Sequence, residues 1–420
     1  MIRPLLSTLS SLLSFLVFVS PVPAAEKPVF VYSATFDYRD LPRDLWADRL
    51  VRLKSMGFNA VQAPGAEDRD RFELLRLARQ LGLQVFEDPE GKAVSWFPAE
   101  PKGRLLAPAD FTTLRRLHPA IVSPFDAGWT AADDVRARPS DASNYLLATR
   151  ELLAAGVKAL NCTAVIEGRT PGEREAALSL AGEPRPQAAV LNRNGALLAG
   201  CGRLLATMRP VQSAGVRLQK PFPPLRLALL AATGPRGPAF LAALNYSENR
   251  PATGPLEVVD PRTGKPVQLS GLNLPPRQAL LMPLNLPLAL PEVCPNCSVF
   301  APDERLVWAT AELISATFEN GVLGLEFVAP SEGELELELA RRPQGPLITG
   351  ARLRQFDWDD KAHRLHLPIP AGKPPDFRTR VGLGIQLPDT SVFLKMPRRF
   401  LLGTTAQVTA TFSSPELAGR

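Results

Sequence analysis

Apolar residues fall at helical spacing in three stretches. Each stretch ends in a glycine followed by a short apolar run. In the first, Trp46, Leu50 and Leu53 share one face of a helix from Leu45 to Met56; Gly57 follows, then Asn59-Ala60-Val61-Gln62-Ala63. The second runs from Phe72 to Leu81, with Gly82 and then Leu83-Gln84-Val85-Phe86. The third runs from Asn144 to Ala155, with Ser143 as N-cap, Gly156, and then Val157-Lys158-Ala159-Leu160-Asn161. Glycine just past a helix end suits the left-handed cap that stops it. Helices alternating with short apolar strands predict a parallel sheet with right-handed crossovers.

A full (β/α)₈ barrel takes roughly 250 residues. Here the αβ texture spans only about residues 26–185. That leaves room for about five or six strands, so the barrel is expected to be incomplete or collapsed. A helical segment follows from Gln187 to Met208. From Leu225 onward the period changes. Short apolar runs (Leu225–Ala232, Ala239–Asn245, Leu256–Val259, Ala279–Leu284) alternate with Pro/Gly turns and read as antiparallel β structure to about residue 290. A further region opens near residue 298. In it Glu334-Leu335-Glu336-Leu337-Glu338-Leu339 alternates strictly, as a half-buried strand does, and Val392–Leu394 and Gln407–Phe412 read as further strands.

The expected fold class is therefore α/β plus all-β: a truncated (β/α) TIM-like barrel followed by one or two antiparallel β-sandwich-like domains. The expected divisions are a signal peptide over 1–25, the barrel over 26–185, a helical linker over 186–218, a β domain over 219–292 and a C-terminal β domain over 293–420.

Composition narrows this picture. The chain has 420 residues, 45% hydrophobic and 21% charged, enough for real cores and too apolar for wholesale disorder. Its 43 prolines favour loop-rich β architecture in the second half. At the N-terminus, Arg3, the apolar run Leu12–Val19 and the small-residue site Val22-Pro23-Ala24 form the three parts of a signal peptide. The apolar run is short of the ~20 residues of a spanning helix. Export with cleavage near Ala25 or Glu26 is expected, with no membrane span afterwards. Net charge is +6, but the arginines are dispersed and no Lys/Arg run interleaves with aromatics, so no nucleic-acid partner is expected.

There are four cysteines: Cys162, Cys201, Cys294 and Cys297. Cys294-Pro295-Asn296-Cys297 has redox-motif spacing, but it follows Leu-Pro repeats and lacks the strand-to-helix setting of a thioredoxin site. A local disulfide or free thiols are expected, and the pairing stays open. His118, His363 and His366 are remote from this motif in sequence and have no Gly-x-Ser-x-Gly partner. No Gly-rich phosphate loop is present, and no cofactor or metal is expected.

Residues 29–62, from Val29-Phe30-Val31-Tyr32 through Phe36-Asp37-Tyr38, Pro42-Arg43 and Gly57-Phe58-Asn59, resemble the opening βα unit of family-35 glycoside hydrolases, the β-galactosidase family. That family carries Phe-His-Tyr where this chain has Phe36-Asp37-Tyr38. Its Tyr-Val-Pro-Trp-Asn-type segment has no counterpart, since Gln62-Ala63-Pro64 passes almost directly into the next helix. Leu147–Gly168 resembles the family's last helix and strand: Ala159-Leu160-Asn161 is kept, followed by Cys162-Thr163-Ala164 and Glu167-Gly168-Arg169-Thr170. Leu244-Asn245-Tyr246-Ser247 and Thr310-Ala311-Glu312-Leu313-Ile314 resemble two strands of its β regions.

The resemblance implies retaining hydrolysis by two glutamates about 5–5.5 Å apart, at the ends of the fourth and seventh barrel strands. The seventh-strand motif is matched by Ala120-Ile121-Val122-Ser123-Pro124-Phe125-Asp126-Ala127-Gly128-Trp129, and the nucleophile slot holds Pro124. Proline has no side-chain oxygen. The acid/base Glu follows Asn in the family, and this chain has no Asn-Glu dipeptide. The weak catalytic candidate is Asp126, two residues past Pro124 and on its face if the strand continues. Its partner would be a third-strand carboxylate, Glu87, Asp88 or Glu90. The resemblance places Tyr38, Trp129 and Asn161 where the family binds sugar.

Three readings follow. The first is an exported family-35-like protein with an eroded catalytic site, left with carbohydrate binding or scaffolding. The second is an active β-galactosidase-like hydrolase with a displaced carboxylate pair. The third is a structural β-domain protein. Sugar, linkage and oligomeric state are open in all three.

Overall fold

The computed structural model describes residues 30–39, 41–63, 69–86, 94–96, 121–126, 129–130, 142–163, 165–167, 174–211, 216–232, 237–259, 266–348, 351–352 and 356–386. The expected signal peptide (1–25), Glu87, Asp88, Glu90, Val392–Leu394 and Gln407–Phe412 lie outside the described residues.

The first half is built from β1 (Val31–Thr35), α1 (Trp46–Ser55), β2 (Ala60–Gln62), α2 (Arg69–Gln80), β3 (Gln84–Phe86), β4 (Val94–Trp96), β5 (Ile121–Asp126), β6 (Trp129–Thr130), α3 (Ala142–Ala154), β7 (Ala159–Thr163), β8 (Arg174–Glu175) and α4 (Pro186–Thr207). The three expected glycine stops are real: Gly57, Gly82 and Gly156 have φ of +86°, +65° and +86°, where a side chain would be strained.

Six strands form one parallel sheet in the order β3-β2-β1-β7-β5-β4. A ring of strands taken in chain order would set the first between the second and the last, and β1 does lie between β2 and β7. Among the described residues, however, β3 and β4 are edges. Among the described residues, the part expected as a truncated TIM-like barrel is a six-stranded parallel sheet in ring order, with no pairing between β3 and β4.

β5 is irregular. Val122 pairs with Leu160 and Phe125 with Cys162, so three steps on β5 oppose two on β7; the register against β4 shifts at the same place. The extra residue falls at Ser123-Pro124. Proline cannot donate to a ladder on its N–H side, and a bulge removes that demand.

The second half is antiparallel. Its strands are β9 (Arg209–Val211), β10 (Val216–Leu218), β11 (Leu225–Ala231), β12 (Ala239–Asn245), β13 (Ala252–Val259), β14 (Pro266–Leu274), β15 (Ala279–Pro287), β16 (Arg305–Ala309), β17 (Glu312–Glu319), β18 (Val322–Val328), β19 (Gly333–Glu338), β20 (Gln344–Ile348), β21 (Ala351–Arg352), β22 (Asp357–Asp359), β23 (Arg364–Ile369) and β24 (Arg378–Gly384). They form an eight-stranded sheet (β22-β23-β19-β16-β15-β12-β11-β9), a five-stranded sheet (β17-β18-β24-β20-β21) and a three-stranded sheet (β10-β13-β14). β19 alternates as its sequence demands: Leu335 and Leu337 are buried and the glutamates between them half-exposed. The 292/293 boundary drawn from the sequence lies between β15 and β16, which pair with each other in the eight-stranded sheet.

One apolar core runs from the parallel sheet through α4 into the space between the eight- and five-stranded sheets. A second fills the gap between the three- and eight-stranded sheets. α4, expected as a linker, is the element the first core is built around. Leu191, Leu197, Leu198, Cys201, Leu204 and Leu205 are all buried along it. A helix apolar on most of its circumference must be covered on most sides. Here α3, β17 and the Met56-Gly57 turn after α1 cover it. A Cβ added at Gly195 would lie 1.9 Å from Met56 O, and one at Gly200 would lie 1.9 Å from Ile314 O, so only glycine lets both neighbours approach this closely.

Candidate functional site

Residues paired side by side in a parallel sheet project to the same face. Ser33 pairs with Ala60 and Asn161, and Thr35 pairs with Gln62. This collects Ser33, Thr35, Gln62 and Asn161 into one row on the face away from the helices. The opposite face carries Tyr32, Ala34, Val61, Leu160 and Cys162, all buried. That face meets the helices: Tyr32 Oη donates to Leu191 O at 3.4 Å, and Tyr145 Oη donates to Cys162 Sγ at 3.3 Å.

The polar row bonds to itself. Ser33 Oγ donates to Asn161 Oδ1 at 2.9 Å, and Thr35 Oγ1 donates to Gln62 Oε1 at 2.9 Å. Asn161 Nδ2 donates to Thr35 Oγ1 at 3.1 Å and to Gln62 Oε1. Ser33 and Asn161 are 1% and 2% exposed, so these bonds exchange little with water. Buried polar groups without partners cost roughly 1–3 kcal/mol each, which this network avoids. It consists of two amides and two hydroxyls. None of these loses or gains a proton near neutral pH, so these four side chains cannot act as an acid, a base or a carboxylate nucleophile.

The sequence-derived candidates fall as follows. Asn161 is in this row. Tyr38 is 2% exposed, its ring set edge-on to Trp46 at 5.5 Å, and Trp46 Nε1 is in turn held by Leu41 O at 3.3 Å. In this packing Tyr38 presents no free face for stacking on a sugar. Trp129 pairs with Glu175 between β6 and β8. Asp126 pairs with Thr163, two positions beyond Asn161. The register shift between Val122 and Phe125 falls at Ser123-Pro124, next to this position. The side chains of Pro124, Asp126 and Trp129 lie outside the described residues.

Beyond the end of β7, Glu167 is tied down by Arg185 Nη2 at 2.8 Å and Leu180 N at 3.1 Å. Both partners of this ion pair are about a quarter exposed, and it fastens the 174–185 segment. A cleft of about 1010 Å³ opens beside this segment, lined by Pro184 and Arg185 together with residues of α4, β17, β18 and β24. Within it Arg378 meets Glu326 and Asp376, each at 3.5 Å.

The cysteines divide into two kinds. Cys294 and Cys297 form a disulfide with Cα atoms 5.2 Å apart, while Cys162 and Cys201 are buried free thiols. Burial, and then the nearby Glu312 charge, push the Cys201 thiol up to about 12, which makes it inert at neutral pH.

The sequence reading missed one charged cluster. Arg150 on α3 grips Glu312, the first residue of β17, through Nε to Oε1 at 2.6 Å and Nη2 to Oε2 at 2.8 Å. Arg193 on α4 adds Nε to Oε2 at 3.1 Å, and Leu281 N of β15 donates to Oε1 at 3.1 Å. Burial by itself would raise the Glu312 pKa; Arg150 and then Arg193 overcome it and hold the carboxyl below the usual carboxylate range. The available signal was a glutamate opening an apolar strand and arginines among the buried positions of two helices.

No family model matches the chain, and no curated protein matches it. Among solved structures, it is similar to a β-D-mannosidase from Dictyoglomus thermophilum at 9% identity and a TM-score of 0.31, over 88% of this chain and 60% of that one. It is similar to SrfJ from Salmonella typhimurium at 13% identity and a TM-score of 0.27, over 57% and 62% of the two chains. A β-glucuronidase from Parabacteroides merdae overlaps at 8% identity and a TM-score of 0.25, over 85% and 58%. The chain thus spans about three fifths of the length of each of these proteins. Overlaps this loose fix neither family nor chemistry, and the functional reading rests on the chain's own residues.

Proposed function

We propose that this is an exported, carbohydrate-associated protein built on a glycoside-hydrolase-like sheet, and that it binds or scaffolds without cleaving. The observation that carries the reading is the state of the sheet's polar face. Beside the nucleophile slot, which holds Pro124, the described row on β1, β2 and β7 is a neutral network of Ser33, Thr35, Gln62 and Asn161 that supplies no carboxylate. The strand that resembles the nucleophile strand bulges at a proline. The family-35 resemblance in residues 29–62 and 147–168 supports the ancestry, and the missing Asn-Glu dipeptide supports the loss of acid/base chemistry.

Amides and hydroxyls recognise sugar hydroxyls without chemistry. With Tyr38 closed on Trp46, Trp129 is the remaining stacking candidate. The test is a glycan array probed with the mature chain and with Trp129→Ala. Expected is binding to one class of saccharide that the substitution removes. Absence of binding to any glycan would refute the binding role and leave the structural one.

A further inference from the structure

The parallel-sheet unit and the β-sandwich are joined by a continuous set of hydrogen bonds. At one end is Cys162 of β7, beside Asn161. Its sulfur accepts from Tyr145 Oη, and Tyr145 O accepts from Thr149 Oγ1 at 2.8 Å. Thr149 Oγ1 accepts from Asn194 Nδ2 at 3.2 Å, and Asn194 Oδ1 accepts from Arg150 Nη1. Arg150 and Arg193 then hold Glu312 at the start of β17, while Arg193 Nη2 reaches Ala279 O on β15 at 2.7 Å. Every charge in this cluster is buried, and its partners come from both halves of the molecule.

We propose that Arg150, Glu312 and Arg193 form a latch that makes the two halves one cooperative unit, so that the Asn161 row keeps its arrangement only while the sandwich is docked. Separation would leave two arginines without their shared carboxylate and would uncover the apolar side of α4. Removing one member of a buried ion network leaves uncompensated charge, which is strongly destabilising even where the intact network adds little net stability. Gly200 against Ile314 O gives the seam its close backbone contact. This inference is independent of what the site binds.

Two native thiols report on it. Cys162 belongs to the parallel sheet, and Cys201 lies at the seam, where its Sγ meets Leu313 O at 3.5 Å. The experiment is thiol labelling across a urea series, read by mass spectrometry, on the full chain with the Cys294–Cys297 disulfide intact. In the wild type, both thiols are expected to label at one midpoint, coincident with loss of circular dichroism. In Glu312→Gln, labelling of both should rise by the same factor, roughly 100-fold, because opening is global. Labelling of Cys201 at lower urea while Cys162 stays protected would overturn the proposal, as would a Glu312→Gln effect confined to Cys201. If Glu312→Gln does not fold, the wild-type series decides by the same criterion. The apolar triple Arg150→Met, Glu312→Leu, Arg193→Met, which removes the latch but leaves no stranded charge, should separate the two thiols into two midpoints; one shared midpoint would show that apolar packing alone couples the halves and would overturn the latch.

Discussion

Three glycines on one helix give a matched test of how closely α4 is packed. A Gly→Ala change inside a helix normally stabilises it by about 1 kcal/mol, through backbone entropy and propensity. That gain is common to positions 195, 200 and 202, so differences among them report the surroundings. At Gly195 the new methyl would lie 1.9 Å from Met56 O and 2.8 Å from Gly57 Cα, and at Gly200 1.9 Å from Ile314 O. Both obstacles are backbone, and Gly57 is itself fixed at φ +86° as the cap of α1. Carbon atoms in ordinary contact sit about 3.5–4.0 Å apart, so α4 would have to move by more than ~1 Å against an already packed core. Overpacking of this kind costs about 1–3 kcal/mol, enough to reverse the propensity gain. At Gly202 the nearest atom would be Phe30 Cβ at 3.4 Å, an ordinary contact. Gly195→Ala and Gly200→Ala should therefore lower the urea midpoint with m unchanged, and Gly202→Ala should hold or raise it. If Gly195→Ala or Gly200→Ala matches or exceeds the wild type, the close approach of α4 to its neighbours is wrong.

Two further predictions follow from the charges and the N-terminus. The Glu312 carboxyl is held below the ~4.3 of an unfolded glutamate, so its contribution is complete above that pH and fades as pH falls through the lower folded value. Urea midpoints should thus fall more between pH 7 and pH 3 in the wild type than in Glu312→Gln, and an equal fall in both would contradict the assignment. Protein recovered outside the cytoplasm should begin near Ala25 or Glu26 by N-terminal sequencing, and an intact Met1 there would refute the proposed cleavage.

The parts of the fold that were legible are those set by local spacing. Leu50 and Leu53 on one helix face, Gly57 behind them and the Leu335/Leu337 alternation are all short-range patterns, and the structure follows each. The neighbours of each strand were not legible, because pairing β1 with β7 brings together residues 31 and 159, and no local spacing encodes that. α4 was misread because a stretch rich in Ala, Leu and Gly between two differently textured regions resembles a connection. Its burial on several sides becomes visible only with α3, β17 and the Met56-Gly57 turn around it. Glu312 was noticed only as part of a strand motif. Charged residues usually mark solvent, and the partners at 150 and 193 come from two other segments. At the site, Asn161 could be singled out by resemblance, but Ser33, Thr35 and Gln62 join it only through register. Tyr38 was chosen by resemblance alone, and its packing edge-on to Trp46, eight residues later, is a tertiary contact that resemblance does not report.

The central claim is that the sheet no longer hydrolyses glycosides, and aryl-β-galactoside turnover by the purified mature chain and by Asp126→Asn tests it most directly. A retaining mechanism cannot form its glycosyl-enzyme without a carboxylate nucleophile, and an inverting one still needs two carboxyls about 6.5–9.5 Å apart across one pocket. The account predicts no turnover above the uncatalysed rate for either protein. Turnover by the wild type that Asp126→Asn abolishes would contradict it and establish a displaced catalytic pair.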